Sequence, residues 1–298
     1  MSSNNNTSIT LAIIQLQSAF RYPTLILGFI LLISGVLGNI LNILVFMKVR
    51  NYKNNACSLY MFVRTFIDLY ILLAGLTTRI LTTGFQIDFT LMNRIWCKIR
   101  LGLSNINSES TYTLICLQAI DAFMCSSPSV VVRQKSNIRI ARYLAIGTLC
   151  FWSIHEIPYF IFQDLIIVGV VSIFGFLTVG HMKTISVTRT LSSLTRQTIS
   201  MALFQIVAVL VFNGPNAAWL IYSAVTTNVV KDTYRRAVEQ LIASFAATYS
   251  YGPYASSFYC YCLSKRFRKQ LIVSLKELVC GIHTNQVFPN TQRSGTRT

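Results

Sequence analysis

The amino-acid sequence predicts an all-α membrane protein: a seven-transmembrane helix bundle with its N-terminus outside, followed by a short amphipathic surface helix. Three observations predict it. Charged residues make up 12% of the 298 residues, about half the share usual in soluble domains. Uncharged runs are long: 26 residues from Tyr22 to Met47, 34 from Gln197 to Val230 and 25 from Gln240 to Ser264, each beyond the ~20 that carry a helix across a bilayer. Lys and Arg collect in alternate segments between the apolar runs, the bias that orients membrane proteins.

Seven spans follow from the apolar periodicity: 22–47, 56–82, 96–125, 141–163, 165–187, 197–224 and 237–263. Residues 1–21 form a short outer tail, 22–263 the membrane domain, 264–280 an amphipathic helix and 281–298 a disordered inner tail. The fourth and fifth spans are nearly continuous, interrupted by His155-Glu156 and Gln163-Asp164. Forty residues cannot cross ~30 Å as one helix, so the chain is expected to reverse at Phe162–Leu165. In SKRFRKQLIVSLKELV, 264–279, residues Phe267, Leu271, Ile272 and Leu275 recur at helical spacing between basic residues, the pattern of a helix lying on a membrane surface.

With the N-terminus outside, the inner segments hold fifteen Lys and Arg against Glu277 alone. The outer segments hold eight, diluted by Asp88, Asp164, Asp232 and Glu239. The net charge of +17 is therefore loop charge. No basic stripe with interleaved aromatics points to nucleic acid. The cysteines lack zinc or C-x-x-C spacing, and most lie in apolar runs, where a thiol behaves as a small hydrophobe. No cleavable signal peptide is expected, because MSSNNNTSIT has no basic segment. Asn5 and Asn6 begin glycosylation sequons suited to an outer tail. The motifs HExxH, GKS/GKT and GxSxG are missing and the few intramembrane acids are scattered, so no enzyme, cofactor or metal is expected. A retinal protein needs a lysine in the last span, and residues 240–264 contain none. A transporter with repeated halves is disfavoured by the absence of an internal repeat.

Charges buried in a bilayer are candidates for function. Arg64 and Asp68 lie four apart on one face of the second span and can pair. Glu109 lies in the third span, Asp121 near its end, and His155-Glu156 in the fourth.

Ordered landmarks carry a resemblance across residues 22–276. They are GNILN at 38–42 with Asn39, Asp68, Trp96-Cys97, Asp121 24 residues after Cys97, Trp152, Pro215, and SSFYCYCLSKRFRKQ at 256–270. In these the chain resembles the rhodopsin-like (class A) G-protein-coupled receptors, and within them the peptide-receptor branch that includes FMRFamide-type receptors. The resemblance implies a plasma-membrane, multi-pass receptor for an extracellular ligand of peptide type, with a heterotrimeric G protein as partner and membrane lipid around it.

The resemblance also assigns roles. Asn39, Asp68 and Thr111 take the places of a polar, sodium-holding network, where Arg64 could itself neutralise Asp68. Pro215 is the hinge of the sixth span. The aromatic expected two residues before it is Asn213, with Phe212 and Trp219 nearby. Ser104, Glu109, Trp219, Tyr222 and Tyr249 are ligand-pocket candidates by position. At the end of the seventh span Ser256 and Ser257 stand where Asn-Pro is usual, and either Tyr259 or Tyr261 fills the place of the family's tyrosine.

Two departures bear on signalling. The second outer loop, its cysteine and the fifth-span proline are missing, so Cys97 is expected to be unpaired. The switch triplet Asp-Arg-Tyr reads Asp121-Ala122-Phe123. The arginine's charge is lost, and Arg64, whose long side chain can extend toward the inner face, is a candidate to fill the space. These losses also fit a second class: a non-signalling relative, whether a decoy, a partner of another receptor or a decayed copy.

Overall fold

The computed structural model describes residues 21–49, 53, 55–87, 94–126, 136–157, 193–262 and 264–280. The expected reversal at Phe162–Leu165, the whole fifth span, the sequons at Asn5 and Asn6, and the tail from residue 281 lie outside them. The described residues are all-helical: α1 (Arg21–Val49), α2 (Ala56–Gly84), α3 (Arg94–Ser126), α4 (Ile138–His155), α5 (Ser193–Val225), α6 (Thr233–Tyr249), α7 (Gly252–Cys262) and α8 (Lys265–Cys280). Among them, three combine the length and apolar composition needed to cross a membrane: Arg21–Lys48, Ala56–Gly84 and Met201–Val225.

The distribution of side chains is the reverse of a soluble bundle. In α1, Asn39 and Asn42 are fully buried while Ile26, Ile30, Ile33 and Leu37 are each more than half exposed. An apolar outer face around a polar interior is stable where hydrocarbon, not water, surrounds the helices. Without a hydrophobic force between helices, close packing has to hold the bundle, and small residues permit it. At Gly35 an added Cβ would lie 2.9 Å from the Ala255 Cα, so α1 and α7 meet almost backbone to backbone.

Asn55 caps α2, its side chain accepting from the Ser58 N–H at 3.2 Å. Just past Asp68, α2 widens into π-helical turns at Ile71–Leu76 and again at Ile80–Gly84. The Thr77 N–H is aimed at the Leu72 carbonyl, five residues back, the spacing of a π turn. Beyond the first wide segment, Arg79 donates to Thr248 Oγ1 at 3.1 Å and to the Ser244 carbonyl at 3.3 Å, tying α2 to α6.

Two departures from the expected spans concern the helix ends. Residues 237–263, read as one span, divide into α6 and α7 at Ser250-Tyr251. Pro253 is the cause: it cannot donate a backbone hydrogen bond and fits only the first turn of a helix. The fourth helix starts earlier than residue 141, because Asn137 caps it by accepting from the Arg139 N–H at 2.9 Å.

At the far end of the bundle, α8 docks through Phe267, which is 4% exposed and packs its ring against Phe46, Phe258 and Tyr261. Leu271, on the same helical face, joins that cluster, whereas Ile272 is 53% exposed.

Candidate functional site

The middle of the bundle holds a polar core built by α1, α2, α3 and α7. Asn39 donates to the carbonyls of Gly35 at 2.9 Å and Tyr254 at 3.0 Å. Its Oδ1 accepts from the Ser257 hydroxyl at 3.1 Å. The Thr111 hydroxyl donates to Asp68 Oδ1 at 3.4 Å. The Arg64 Nε stands 3.3 Å from Asp68 Oδ2, with both side chains at most 1% exposed. The other end of the guanidinium, Nη2, donates to the Pro253 carbonyl at 3.4 Å. That carbonyl lies beside the break between α6 and α7. Of the four residues named from sequence for this network, Arg64 and Thr111 meet Asp68 directly, and Asn39 joins them through Ser257. Ser257 is added to them at 1% exposure.

The same geometry decides whether a sodium ion fits. One carboxylate with hydroxyl and amide oxygens suits a hard cation, but the Arg64 guanidinium already provides the positive charge at Asp68 Oδ2. A second cation there would face that guanidinium directly. The residues present do not fit a sodium ion. Arg64 also does not take up the place left by the missing arginine near Asp121. It turns toward Asp68 and Pro253, because the buried carboxylate is the stronger attraction in a low-dielectric interior.

Asp121, 4% exposed, accepts from the Ser136 hydroxyl at 2.6 Å, and Ser136 in turn accepts from the Cys125 thiol at 3.3 Å. Ala122 is 3% exposed. The Phe123 and Cys97 side chains, and with them the expected free state of Cys97, lie outside the described residues. Between Asp68 and Asp121 the interior stays polar: Gln118 of α3 and Gln205 of α5 are both at most 1% exposed.

Tyr261 and Tyr259 separate clearly. Tyr261 is fully buried against Phe46 and Phe267, whereas Tyr259 is 52% exposed. Ser256 back-bonds to the Pro253 carbonyl, at 3.2 Å.

A second polar chain crosses at Pro215, which lies inside α5. The Tyr254 hydroxyl donates to Tyr112, at 3.1 Å. Tyr112 donates to Asn213 Oδ1, also at 3.1 Å, and Asn213 Nδ2 donates to the Val209 carbonyl at 3.0 Å. Neither Tyr112 nor Tyr254 was singled out from sequence. A tyrosine in an apolar span reads as packing, and only the meeting of three helices reveals the relay. Trp152 is buried with its Nε1 donating to Thr113 Oγ1 at 3.0 Å.

The pocket candidates do not converge. Ser104 faces Gly75 of α2, and the Glu109 backbone carbonyl accepts from Thr113. Tyr249 stacks on Phe245 and packs at a tilt against Phe212. Trp219 lies on Tyr222, and Tyr222 donates to Glu239 at 2.8 Å, where Lys231 at 2.7 Å and Arg235 at 3.0 Å also meet the carboxylate. This cluster staples the end of α5 to the start of α6. His155 stands 3.5 Å from Glu156, whose other oxygen faces Asn105, also at 3.5 Å.

Compared with known protein families and with curated proteins, the chain matches neither a family model nor a curated sequence.

Proposed function

We propose that this chain is a seven-helix receptor of the rhodopsin-like class, taking an extracellular ligand of peptide type and transducing by helix rearrangement. The observation that carries the reading is the polar core. The resemblance assigns Asn39, Arg64, Asp68 and Thr111 one interior network; Arg64 and Thr111 meet Asp68, and Ser257 of α7 interacts with both Asn39 and Asp68. In this reading the N-terminus is outside, the protein sits in the plasma membrane as a multi-pass chain, and α8 lies on the cytoplasmic surface. Rearrangement would pivot α5 at Pro215, where the missing N–H weakens the helix, and the Tyr254–Tyr112–Asn213 relay would register the movement in α3 and α7.

A second reading is a non-signalling relative. Ala122 favours it, since no alanine replaces a guanidinium, and Asp121 is engaged by Ser136.

Nucleotide exchange on a purified heterotrimeric G protein separates the two, measured with the reconstituted chain and with Ala122→Arg. Basal exchange above that of empty vesicles supports the receptor. Exchange only with Ala122→Arg supports a relative that keeps the scaffold but has lost the switch. Exchange with neither variant, in correctly folded protein, sinks the receptor reading.

A further inference from the structure

Two arginines stand in the half of the bundle that holds the start of α1, where Leu25 packs on Gly84. Arg79 of α2 is tied to Thr248 Oγ1 and the Ser244 carbonyl, both neutral groups. Arg100 of α3 has its Nε buried with no hydrogen-bond acceptor among the described residues. We propose that Arg100, Arg79 and the Tyr251 hydroxyl form a carboxylate-binding site at the outer end of the bundle, which takes a free carboxylate of the extracellular ligand. The assignment rests on the receptor reading above for which end is outer.

Three observations converge on it. The first is placement. Both guanidiniums interact with the Tyr251 hydroxyl, which stands at the break between α6 and α7. At Gly75, an added Cβ would lie 3.3 Å from that hydroxyl and 3.6 Å from Ser104 Oγ, so the missing side chain lets donors from α3 and the break gather over α2. A carboxylate only accepts, and guanidinium and hydroxyl groups all donate. A planar guanidinium also meets a carboxylate with paired, charge-assisted bonds.

The second observation is charge balance. Thr248 lies in the last turn of α6, where the helix dipole offers Arg79 partial negative charge. Among the described residues nothing comparable faces Arg100, so one further negative charge completes the site. An amidated peptide end carries no charge and would leave Arg100 unmatched. The third is the engagement of the acids elsewhere. Arg64 holds Asp68, Lys231 and Arg235 hold Glu239, and Glu109 interacts with Glu156 and His155. An arginine inside a membrane span without an acid partner is costly and marks a place for a ligand.

The full-length chain, purified in detergent, is titrated with N-acetyl-alanyl-phenylalanine, with the C-terminal amide of the same dipeptide and with 3-phenylpropionate, and affinity is read from shifts of the thermal midpoint. The dipeptide acid is expected to bind about ten-fold tighter than its amide. Arg100→Gln should remove that difference and raise the midpoint of the unliganded protein, because an uncompensated charge leaves the interior. Arg139→Gln, exposed at the start of α4, should keep the difference. Modification of arginines by phenylglyoxal, read by mass spectrometry, needs no variant to fold: the dipeptide acid should protect peptides carrying Arg79 and Arg100 and leave Arg139 reactive. Tighter binding of the dipeptide acid than of 3-phenylpropionate identifies a peptide as the source of the carboxylate, and equal binding identifies a small organic acid; either supports the site. Equal binding of acid and amide overturns the proposal. So does protection spread evenly over the arginines, or a lower unliganded midpoint in Arg100→Gln, which would mean that the chain itself neutralises this charge. None of these outcomes depends on nucleotide exchange, so the site and the receptor reading fail separately.

Discussion

The Tyr112 hydroxyl donates to Asn213 Oδ1 at 3.1 Å, two residues before the proline that interrupts α5. The amide does what an apolar side chain there could not. It fixes α5 to α3 by its oxygen, and by its nitrogen it binds the Val209 carbonyl one turn back.

This pair predicts a non-additive double-mutant cycle. Hydrogen bonds between membrane helices are worth about 0.6 kcal/mol on average and up to ~1.7 kcal/mol. Tyr112→Phe and Asn213→Ala should each lower the thermal midpoint in detergent, and the double variant should cost less than the sum. Strict additivity would mean that the two side chains do not act together.

Arg64 and Asp68 predict a sharper asymmetry. Removing one partner of a buried ion pair costs about 3–5 kcal/mol, because the other charge is left uncompensated. Asp68→Asn and Arg64→Leu should each destabilise strongly, while the double variant Arg64→Leu with Asp68→Asn should recover much of the loss. Chemical or thermal unfolding of all three checks this.

The occupied carboxylate also predicts indifference to sodium. Exchanging potassium for sodium at constant ionic strength should leave the wild-type melting midpoint unchanged. A rise in sodium alone would mean that an ion reaches Asp68 despite the guanidinium.

Two glycines predict opposite signs. Gly35→Ala should destabilise by roughly 1–3 kcal/mol by overpacking, since the new methyl would meet the Ala255 backbone at 2.9 Å. Gly147→Ala in α4 meets nothing within 4 Å and should stabilise by about 0.5–1 kcal/mol through helix propensity. Midpoint shifts of the same sign would refute the packing assigned to α1 and α7.

What was legible in the sequence followed from periodicity and from charges in apolar runs. The helical class, the apolar face of α8 that carries Phe267 and the pairing of Arg64 with Asp68 all rest on spacing along one helix. Choices that depend on a neighbouring helix were not legible. Tyr259 and Tyr261 are equivalent in the sequence, and only the packing of Phe46 and Phe267 buries the second. Arg64 could extend toward either end of α2, and the buried Asp68 carboxylate, with the Pro253 carbonyl of α7 opposite, decides the direction. The break before α7 did leave a signal, Gly252-Pro253, outweighed by the apolar run around it. Asn213 looked like the loss of an aromatic until Tyr112 stood beside it.

The wide turns of α2 have a further effect. Each encloses more backbone than an α-turn, so the helix beyond Ile71–Leu76 is out of phase with the helix before it, like a screw whose thread has been advanced partway round. Arg79 reaches α6 only in that advanced phase. Deleting one residue from Ile71–Leu76 would reset the thread, swinging Arg79 off Thr248 and leaving the lower half of α2, with Asp68, where it is.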